Sequence, residues 1–289
     1  MTIFKNSRPA RLPARALTRG FPRLLEEDFA AKAIPRLPRF HRAATKRQMI
    51  MKTTIKAIQE RHSDRSPYDP KRPVTREDLA QVLEAARWTP TPHNMQNFQI
   101  IVVDDKETLK GIGEIESRTS LEFLRENYQL LSFSEKELKE KKVGILASRF
   151  PKAWTDPSRI EEVARRSRGT RLSGRIDGSP VLLIVLYDPR KRAPASRGDI
   201  LGFMGLGCLM ENMWLVADSL GLGYQILSTF ANRSVEREVK RILHVPGFMR
   251  VAYAVRMGHP ISKPGKALRV RREIEDFAHH NAYGIKGVE

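Results

Sequence analysis

The sequence contains a single cysteine, Cys208, in 289 residues. One thiol excludes a disulfide within the chain, and it also excludes a zinc or iron–sulfur site built from a cysteine cluster. Because Cys208 lies in an apolar run, we expect it to be a small buried side chain rather than a nucleophile. The seven histidines show no HExxH or comparable ligand spacing, so we expect no metal site.

Long hydrophobic runs are also missing from the sequence. The two longest apolar stretches, Val181–Tyr187 and Ile200–Val216, are too short or too polar for a membrane span. No apolar segment near the N-terminus has the length that the core of a secretory signal requires. We therefore expect a soluble, cytoplasmic protein that does not engage a membrane.

Acidic residues are scarce in the first 50 residues, where twelve Lys or Arg side chains face three acids. This segment contributes +9 of the net charge of +19, and its prolines forbid a long helix. We interpret residues 1–50 as a basic extension that is disordered or not part of the mature protein. It could be an organelle transit peptide, a nucleic-acid-binding tail, or sequence upstream of a true start at Met49 or Met51.

From residue 51 to residue 289, helical and strand-like patterns alternate without a linker, which indicates one domain of the α+β or mixed α/β class. The expected helices are 53–60, one capped by Thr75 and running to Trp88, one from Asp105 to about Ser117, 197–219 and 234–243. The expected strands are Phe98–Val103, Val181–Tyr187, Tyr224–Leu227 and Phe248–Met257.

Three further segments have patterns that predict how exposed or buried they are. Residues 120–150 have the pattern of an exposed helical region, and residues 150–178 are irregular and Arg-rich, as expected for a mobile cover or variable loop. The helix at 197–219 is apolar on all sides, which indicates burial. We expect it to pack against a sheet and a second subunit, although an intramolecular core helix is the alternative.

Two short segments carry the most chemistry. Arg61–Arg65 (RHSDR) concentrates guanidinium and hydroxyl donors that match phosphate oxygens. Thr89–Phe98 (TPTPHNMQNF) is a proline-stiffened loop that presents side-chain amides. A phosphorylated, hydrogen-bonding cofactor such as a flavin needs both features. A basic loop and a plain helix-to-strand connection remain the alternative.

Several common catalytic motifs are missing. There is no Walker A sequence, Gly111 and Gly113 lack the remainder of a dinucleotide fingerprint, and no G-x-S-x-G elbow exists. If the protein is an enzyme, we expect a cofactor to supply its chemistry.

Four segments, in order, resemble motifs of the nitroreductase family of FMN-dependent oxidoreductases over residues 52–285. Arg61–Arg65 resembles R-x-S-x-R/K, and Thr89–Phe98 resembles P-S-x-x-N-x-Q-P-W. Gly221–Gly223, after a helix containing Glu211 and Asn212, resembles Q-N…G-L-G, and Arg269–Phe277 resembles the basic C-terminal stretch. The resemblance implies a central, mainly antiparallel sheet flanked by helices, in a homodimer with FMN at its interface.

The resemblance also implies a role for each matching residue. The FMN phosphate and ribityl chain would be bound by Arg61, Ser63, Arg269 and Arg271. Arg65 would lie near the N1 side of the ring, and His62 would contribute through its backbone. The partner subunit's flavin would be reached by Thr91, Pro92 and Asn94. A backbone N–H in the segment Leu227, Ser228 and Thr229 would face flavin N5.

The implied reaction is electron transfer from NADH or NADPH, by a ping-pong cycle, to small electron-poor acceptors such as nitro compounds or quinones. No acid–base side chain is required for it. The sequence departs from the family pattern at Asn97 (usually proline), Phe98 (tryptophan), Glu211 (glutamine) and Gln225–Thr229. The alternatives are a basic, non-enzymatic nucleic-acid-binding protein, or a flavin-binding family member without reductase turnover.

Overall fold

The computed structural model describes residues 53–166, 170–176, 178–194, 198–262 and 268–287. The chain divides into two units, Met1–Arg47 and Gln48–Glu289, and every described residue lies in the second. The predicted basic extension over residues 1–50 therefore lies outside the described residues.

The central sheet contains four antiparallel strands in the spatial order β1–β2–β4–β3. The strands are β1 (Phe98–Val103), β2 (Val181–Tyr187), β3 (Gly223–Leu227) and β4 (Arg250–Gly258). The prediction of these four strands is confirmed, with β1 and β2 at the predicted bounds. β4 begins and ends slightly later than the predicted Phe248–Met257.

The helices that pack on this sheet or lead to the site are α1 over residues 53–60, α2 (Arg76–Arg87), α3 (Lys106–Gly113), α4 (Ile200–Ser219) and α5 (Arg233–Ile242). The side chains of β2 alternate between the two faces of the sheet. Val181, Leu183 and Val185 face a core shared with α2 and α4, whereas Leu182 and Ile184 face a core shared with α3 and α5. Both faces of β2 are thus covered, as its continuous apolar run predicted.

Two helices begin at the capping residues that the sequence predicted, but one of them ends earlier than predicted. The Thr75 hydroxyl accepts from the Asp78 N–H at 3.0 Å, and Asp105 caps α3 in the same way. The prediction that α3 continues to about Ser117 is wrong, because the helix ends at Gly113. Glu116–Ser117 instead pairs antiparallel with Thr170–Arg171.

The region between α3 and β2 consists of short elements. The helices are Leu121–Leu124, Glu135–Lys141, Lys152–Thr155, Ile160–Arg166 and Ser173–Ile176, with a π-helical turn at Arg125–Leu130 and 3₁₀ turn at Ala147–Arg149. Ser132–Phe133 and Ile145–Leu146 form a small parallel pair. The described residues of 150–178 contain three short helices, and Ile160 and Leu172 are buried. A mobile cover or variable loop in this segment stays a prediction.

α4 has one face covered by this chain. Leu209, Met213 and Ala217 are fully buried against α2 and the sheet, and Gly221, with φ of 70°, ends the helix as predicted. Cys208 is exposed, so the prediction of a buried thiol is wrong for the single chain. The expectation that this stretch is too short or too polar to span a membrane is also wrong, because α4 is long and apolar enough by length and composition alone. In this chain, one face of α4 packs against α2 and the sheet.

Candidate functional site

The loop at residues 61–66, which we call the motif loop, connects α1 to the body of the protein. Four hydrogen bonds join it to distant parts of the chain. The Asp64 N–H donates to the Tyr224 carbonyl at 3.1 Å. Three carbonyls of the loop accept from distant side chains: His62 from Trp214 Nε1 (3.1 Å), Ser66 from Arg256 Nη2 (2.8 Å) and Arg61 from Arg269 Nη2 (3.0 Å). These partners belong to β3, α4, β4 and the C-terminal segment. The loop is therefore held in one conformation by the whole domain.

Within the motif loop, Asp64 shapes the backbone rather than facing solvent. Its buried Oδ1 accepts from the Ser66 N–H at 2.8 Å and from the Ser66 hydroxyl at 2.5 Å, which is an Asx-type turn. Between these two residues, Arg65 projects outward and is exposed.

One end of the motif loop forms a basic corner that consists of Arg61, Ser63 and Arg269. Arg61 Nε donates to Glu211 Oε1 at 2.5 Å, and its guanidinium lies 4.6 Å from the centroid of the Trp214 ring. Glu211 thus supplies a carboxylate where the family motif has a neutral amide. Ser63 is half-buried in the same loop, and Arg269 is exposed.

Two more of the predicted phosphate-end residues, Arg271 and His62, make other contacts. Arg271 is exposed and donates to the carbonyl of its neighbour Val270 at 2.7 Å. His62 Nδ1 lies 3.6 Å from Asp218 Oδ1. Burial raises the pKa of the Asp218 carboxyl above its usual value, while the nearby His62 opposes that rise.

At the other end of the motif loop lies an open cleft of about 630 Å³. Its lining includes Arg65, Tyr68, Arg175, Gln225, Leu227 and Arg256. Leu227 is the last residue of β3, and the 3₁₀ turn Ser228–Ala231 follows it directly. Two predicted site residues, Arg65 and Leu227, thus line one cavity. Ser228, which is exposed, and Thr229, which is half-buried, follow Leu227 in the sequence.

Arg256 is the residue that the sequence interpretation missed. It is only 5 % exposed, its Nε donates to Gln225 Oε1 at 2.6 Å, and its guanidinium lies 4.5 Å from the Tyr68 ring centroid. Burial raises the pKa of the Tyr68 phenol above its ordinary value, and the Arg256 charge opposes that rise. The signal that could have identified Arg256 was an arginine in the middle of a strand that is apolar between Val251 and Val255.

The amide loop, residues 89–97, is strained. His93, Asn94 and Gln96 have φ of 50°, 52° and 44°, a left-handed conformation that costs a non-glycine residue about 1 kcal/mol or more. The Thr91 hydroxyl accepts from the Gln96 N–H at 3.1 Å, which helps to hold this shape. Such strain is common where a loop presents groups to a ligand.

The amide loop packs along α4, and at one end of the loop Asn212 Nδ2 donates to the Thr89 hydroxyl at 3.3 Å. A Cβ added at Gly205 would lie 3.6 Å from both Thr91 and Pro92, whereas Glu211 contacts Arg61. At 1.5 Å per residue, these two positions on the helix are about 9 Å apart along its axis. Thr91 and Pro92 thus lie against a different stretch of α4 from Glu211, whereas Thr89 of the same loop reaches Asn212.

No group of three or more His, Cys, Asp or Glu side chains suited to a metal ion occurs in the part of the chain that the structure describes. The donors that the site presents are guanidiniums, hydroxyls and backbone N–H groups. This set suits a phosphate and a hydrogen-bonding ring better than a cation.

The chain was compared with known protein families and solved structures. A family model described as the nitroreductase family matches residues 58–259. A nitroreductase family protein from Clostridium difficile 630 superimposes with a TM-score of 0.50 at 17% identity, covering 79% of this chain and 98% of that one.

Two further solved structures are similar. An FMN-dependent nitroreductase from Clostridium difficile R20291 has a TM-score of 0.49 at 17% identity, over 79% of this chain and 99% of that chain. A nitroreductase with bound FMN from Bacteroides fragilis NCTC 9343 has a TM-score of 0.44 at 20% identity, over 81% and 98% of the two chains. At such identities the likeness concerns the fold.

Proposed function

The chain belongs to the nitroreductase family, and we propose that it is an FMN-dependent oxidoreductase acting as a cytoplasmic homodimer. It would transfer electrons from NADH or NADPH to small electron-poor acceptors, such as nitro compounds or quinones, by a ping-pong cycle. The observation that carries the proposal is the motif loop itself. It joins the basic corner of Arg61 and Arg269 to a cleft lined by Arg65 and Leu227.

The residues at the two ends of the motif loop fit the two ends of FMN. The phosphate and ribityl chain would be bound by Arg61, Ser63, Arg269 and Arg271, with His62 contributing through its backbone. At the cleft, Arg65 would balance negative charge on the pyrimidine side of the ring, and a backbone N–H of Leu227–Thr229 would face N5. When bound, FMN supplies the capacity to accept a hydride and pass electrons on, which no side chain offers.

The fit requires that Arg61 remain able to bind an anion. Its hydrogen bond to Glu211 engages Nε, and within the described chain no hydrogen bond to its terminal Nη atoms is found. Those Nη groups can therefore donate to a phosphate while Nε keeps its partner. The negative charge of Glu211 nevertheless opposes the arrival of a second anion.

The dimer proposal rests on the uncovered part of α4. Ile200, Phe203 and Met204 are 62%, 52% and 61% exposed, and this apolar face continues beside the amide loop at Gly205. An exposed apolar patch of this kind on a folded domain marks an interaction surface. Pairing of two copies through this face would cover it and would allow Thr91, Pro92 and Asn94 to reach the flavin of the partner.

An absorbance spectrum of the purified protein, taken with and without NADH or NADPH in the absence of oxygen, tests the proposal. We expect flavin peaks that bleach on reduction and return when menadione is added as acceptor. Flavin that does not bleach would identify a binding protein without turnover. A protein that is colourless and does not bind added FMN would contradict the proposal as a whole.

The oligomeric state is tested separately by light scattering on a size-exclusion column. We expect twice the monomer mass for the wild type, and the monomer mass together with loss of FMN for Phe203→Glu. Val143→Glu, a matched substitution at a residue 45% exposed elsewhere, serves as the control and should stay dimeric. A monomeric wild type that retains FMN would contradict the interface.

A further inference from the structure

The cleft is positively charged. Three guanidiniums line it, those of Arg65, Arg175 and Arg256, and none of its lining residues that the structure describes is acidic. Its volume of about 630 Å³ falls within the range of small-molecule sites, roughly 300–1,000 Å³. Arg65 matches a family motif, but Arg175 and Arg256 match none.

Arg256 is buried with neutral partners. It donates to the Gln225 amide oxygen and the Ser66 carbonyl, and it lies over the Tyr68 ring. Among the described residues, no carboxylate lies within ion-pair distance of its guanidinium. Burial of a charge without a counter-ion is unfavourable, and neutral dipoles offset that only in part.

Another arginine of the same strand shows the usual arrangement. Arg250 Nε donates to Glu236 Oε1 at 2.8 Å, and Glu236 is itself only 6% exposed. The fold therefore supplies a carboxylate at one end of β4 and neutral partners at the other. The difference favours an anionic group from a ligand at Arg256.

Apart from the Gln225 amide, the remaining side chains that line the cleft are apolar or aromatic, among them Pro67, Tyr68 and Leu227. Arg175 lies on the short helix Ser173–Ile176 and is exposed. Burial raises the pKa of the Tyr128 phenol, and the charges of Arg175 and Arg65 oppose that rise. Tyr128 therefore lies near both guanidiniums. The ring of Tyr128 packs against Trp154, with centroids 5.1 Å apart.

We infer that this cleft binds an aromatic acceptor that carries a carboxylate, with Arg175 and Arg256 receiving the carboxylate. The inference rests on the proposed function, because it names a substrate class for the same site. The guanidiniums match a carboxylate in geometry and charge, and the Tyr68 ring with the apolar side chains of Pro67 and Leu227 suits a flat ring. Arg256 is preordered by Gln225 and Ser66, whereas Arg175 is exposed on the short helix Ser173–Ile176.

Calorimetric titration of the full-length protein with benzoate and with benzamide, with and without FMN, tests the inference. The two probes have nearly the same shape and differ in charge. One charge-assisted hydrogen bond is equivalent to roughly tenfold or more in affinity, so we expect benzoate to bind at least about tenfold more tightly. The same ratio should appear in kcat/KM for 4-nitrobenzoate against 4-nitrobenzamide.

Arg175→Gln should weaken benzoate binding about tenfold and leave benzamide unchanged, because an exposed side chain can be replaced without loss of the fold. Arg256→Lys should retain part of the preference for benzoate. Arg237→Gln, which removes an exposed guanidinium on α5, is the matched control and should change neither probe.

The outcomes separate the inference from the proposed function. Bleachable flavin together with equal affinity for the two probes would overturn the inference alone. Variants that weaken FMN binding without changing the benzoate preference would assign the guanidiniums to the cofactor and would also overturn it. Tighter binding of inorganic phosphate than of benzoate would do the same. Charge-selective benzoate binding by a protein that never binds FMN would instead overturn the proposed function.

Discussion

Arg61 begins the motif loop and Arg256 bonds to its last residue, Ser66, but the two arginines have opposite surroundings. The side chain of Arg61 is 24% exposed and is neutralised by Glu211 at 2.5 Å. Arg256 is 5% exposed and has a side-chain amide, a backbone carbonyl and an aromatic ring as its partners. One charge is balanced by the protein, and the other is stabilised only by neutral groups.

The difference indicates two ways of preparing for an anion. At Arg61, the proposed FMN phosphate would share a guanidinium that already has a carboxylate, so Glu211 would weaken its binding. At Arg256, no competing carboxylate is found in the described chain, and the protein itself carries the unfavourable energy of burial. The first residue should therefore govern affinity for the cofactor, and the second should govern stability and ligand selection.

The largest expected effect comes from removing the charge of the basic corner. Arg61→Ala combined with Arg271→Ala should lower FMN affinity by more than about 100-fold, because two charge-assisted hydrogen bonds of roughly 1.5–3 kcal/mol each are lost. Flavin content after purification and fluorescence titration measure this. Arg237→Ala with Arg241→Ala removes the same charge from α5 as a control. Unaltered flavin content would reject the phosphate assignment.

Removal of Arg256 should act on the fold. Arg256→Met leaves the Gln225 oxygen and the Ser66 carbonyl without their donor, so we expect the free energy of unfolding to fall by about 2–4 kcal/mol. Arg61→Met, at the exposed end, should lower it by less than about 1 kcal/mol. Urea unfolding followed by circular dichroism compares the two. Equal losses would remove the distinction between the two ends of the loop.

Neutralising Glu211 should make the two ends more alike. Glu211→Gln keeps the shape of the side chain and removes the charge that competes with phosphate, so FMN affinity should rise by roughly three- to tenfold. Titration of the apoprotein with FMN measures it, with Glu60→Gln, an exposed carboxylate on α1, as the control. Weaker binding by the Glu211→Gln variant would show that the carboxylate orients Arg61 rather than competing for it.

The smallest effect concerns Asp218, beside His62. Because burial raises its pKa in the folded state, its favourable contribution exists below the unfolded value of 3.8 and is lost as pH rises through the folded value. Asp218→Asn should therefore stabilise the protein at pH 7, by about 0.5 kcal/mol or less after solvent screening, and should do less near pH 4. Thermal unfolding at both pH values measures it. Greater stabilisation at the lower pH would contradict the assigned direction.

Local sequence patterns predicted the helices and strands whose ends are defined by residues close to them in the sequence. The apolar run of β2, the cap at Thr75 and the stop at Gly221 each lie within a few residues of the element they define. The end of α3 was not predictable in this way. The helix ends where Glu116–Ser117 pairs with the distant segment Thr170–Arg171, and no sequence pattern near α3 predicts that pairing.

The site was predictable in part for the same reason. The motif loop and Leu227 follow from short motifs, and the structure brings the loop and the cleft together. Arg256 and Arg175 belong to no motif, and they reach the cleft only through strand pairing and the placement of a short helix. Cys208 was misjudged because a helix that is apolar on every side does not show which side the chain will cover.

The anchors of the motif loop also determine when it can form during synthesis. Trp214, Arg256 and Arg269 bond to carbonyls that precede them by 152, 190 and 208 residues. Contacts so distant in sequence close late in folding, and a chain emerging from the ribosome lacks all three until most of it has been made. The motif loop, near the start of the described domain, is therefore among the last parts to take its final shape. Under the proposed function, a nascent chain would acquire its FMN pocket only as synthesis nears its end.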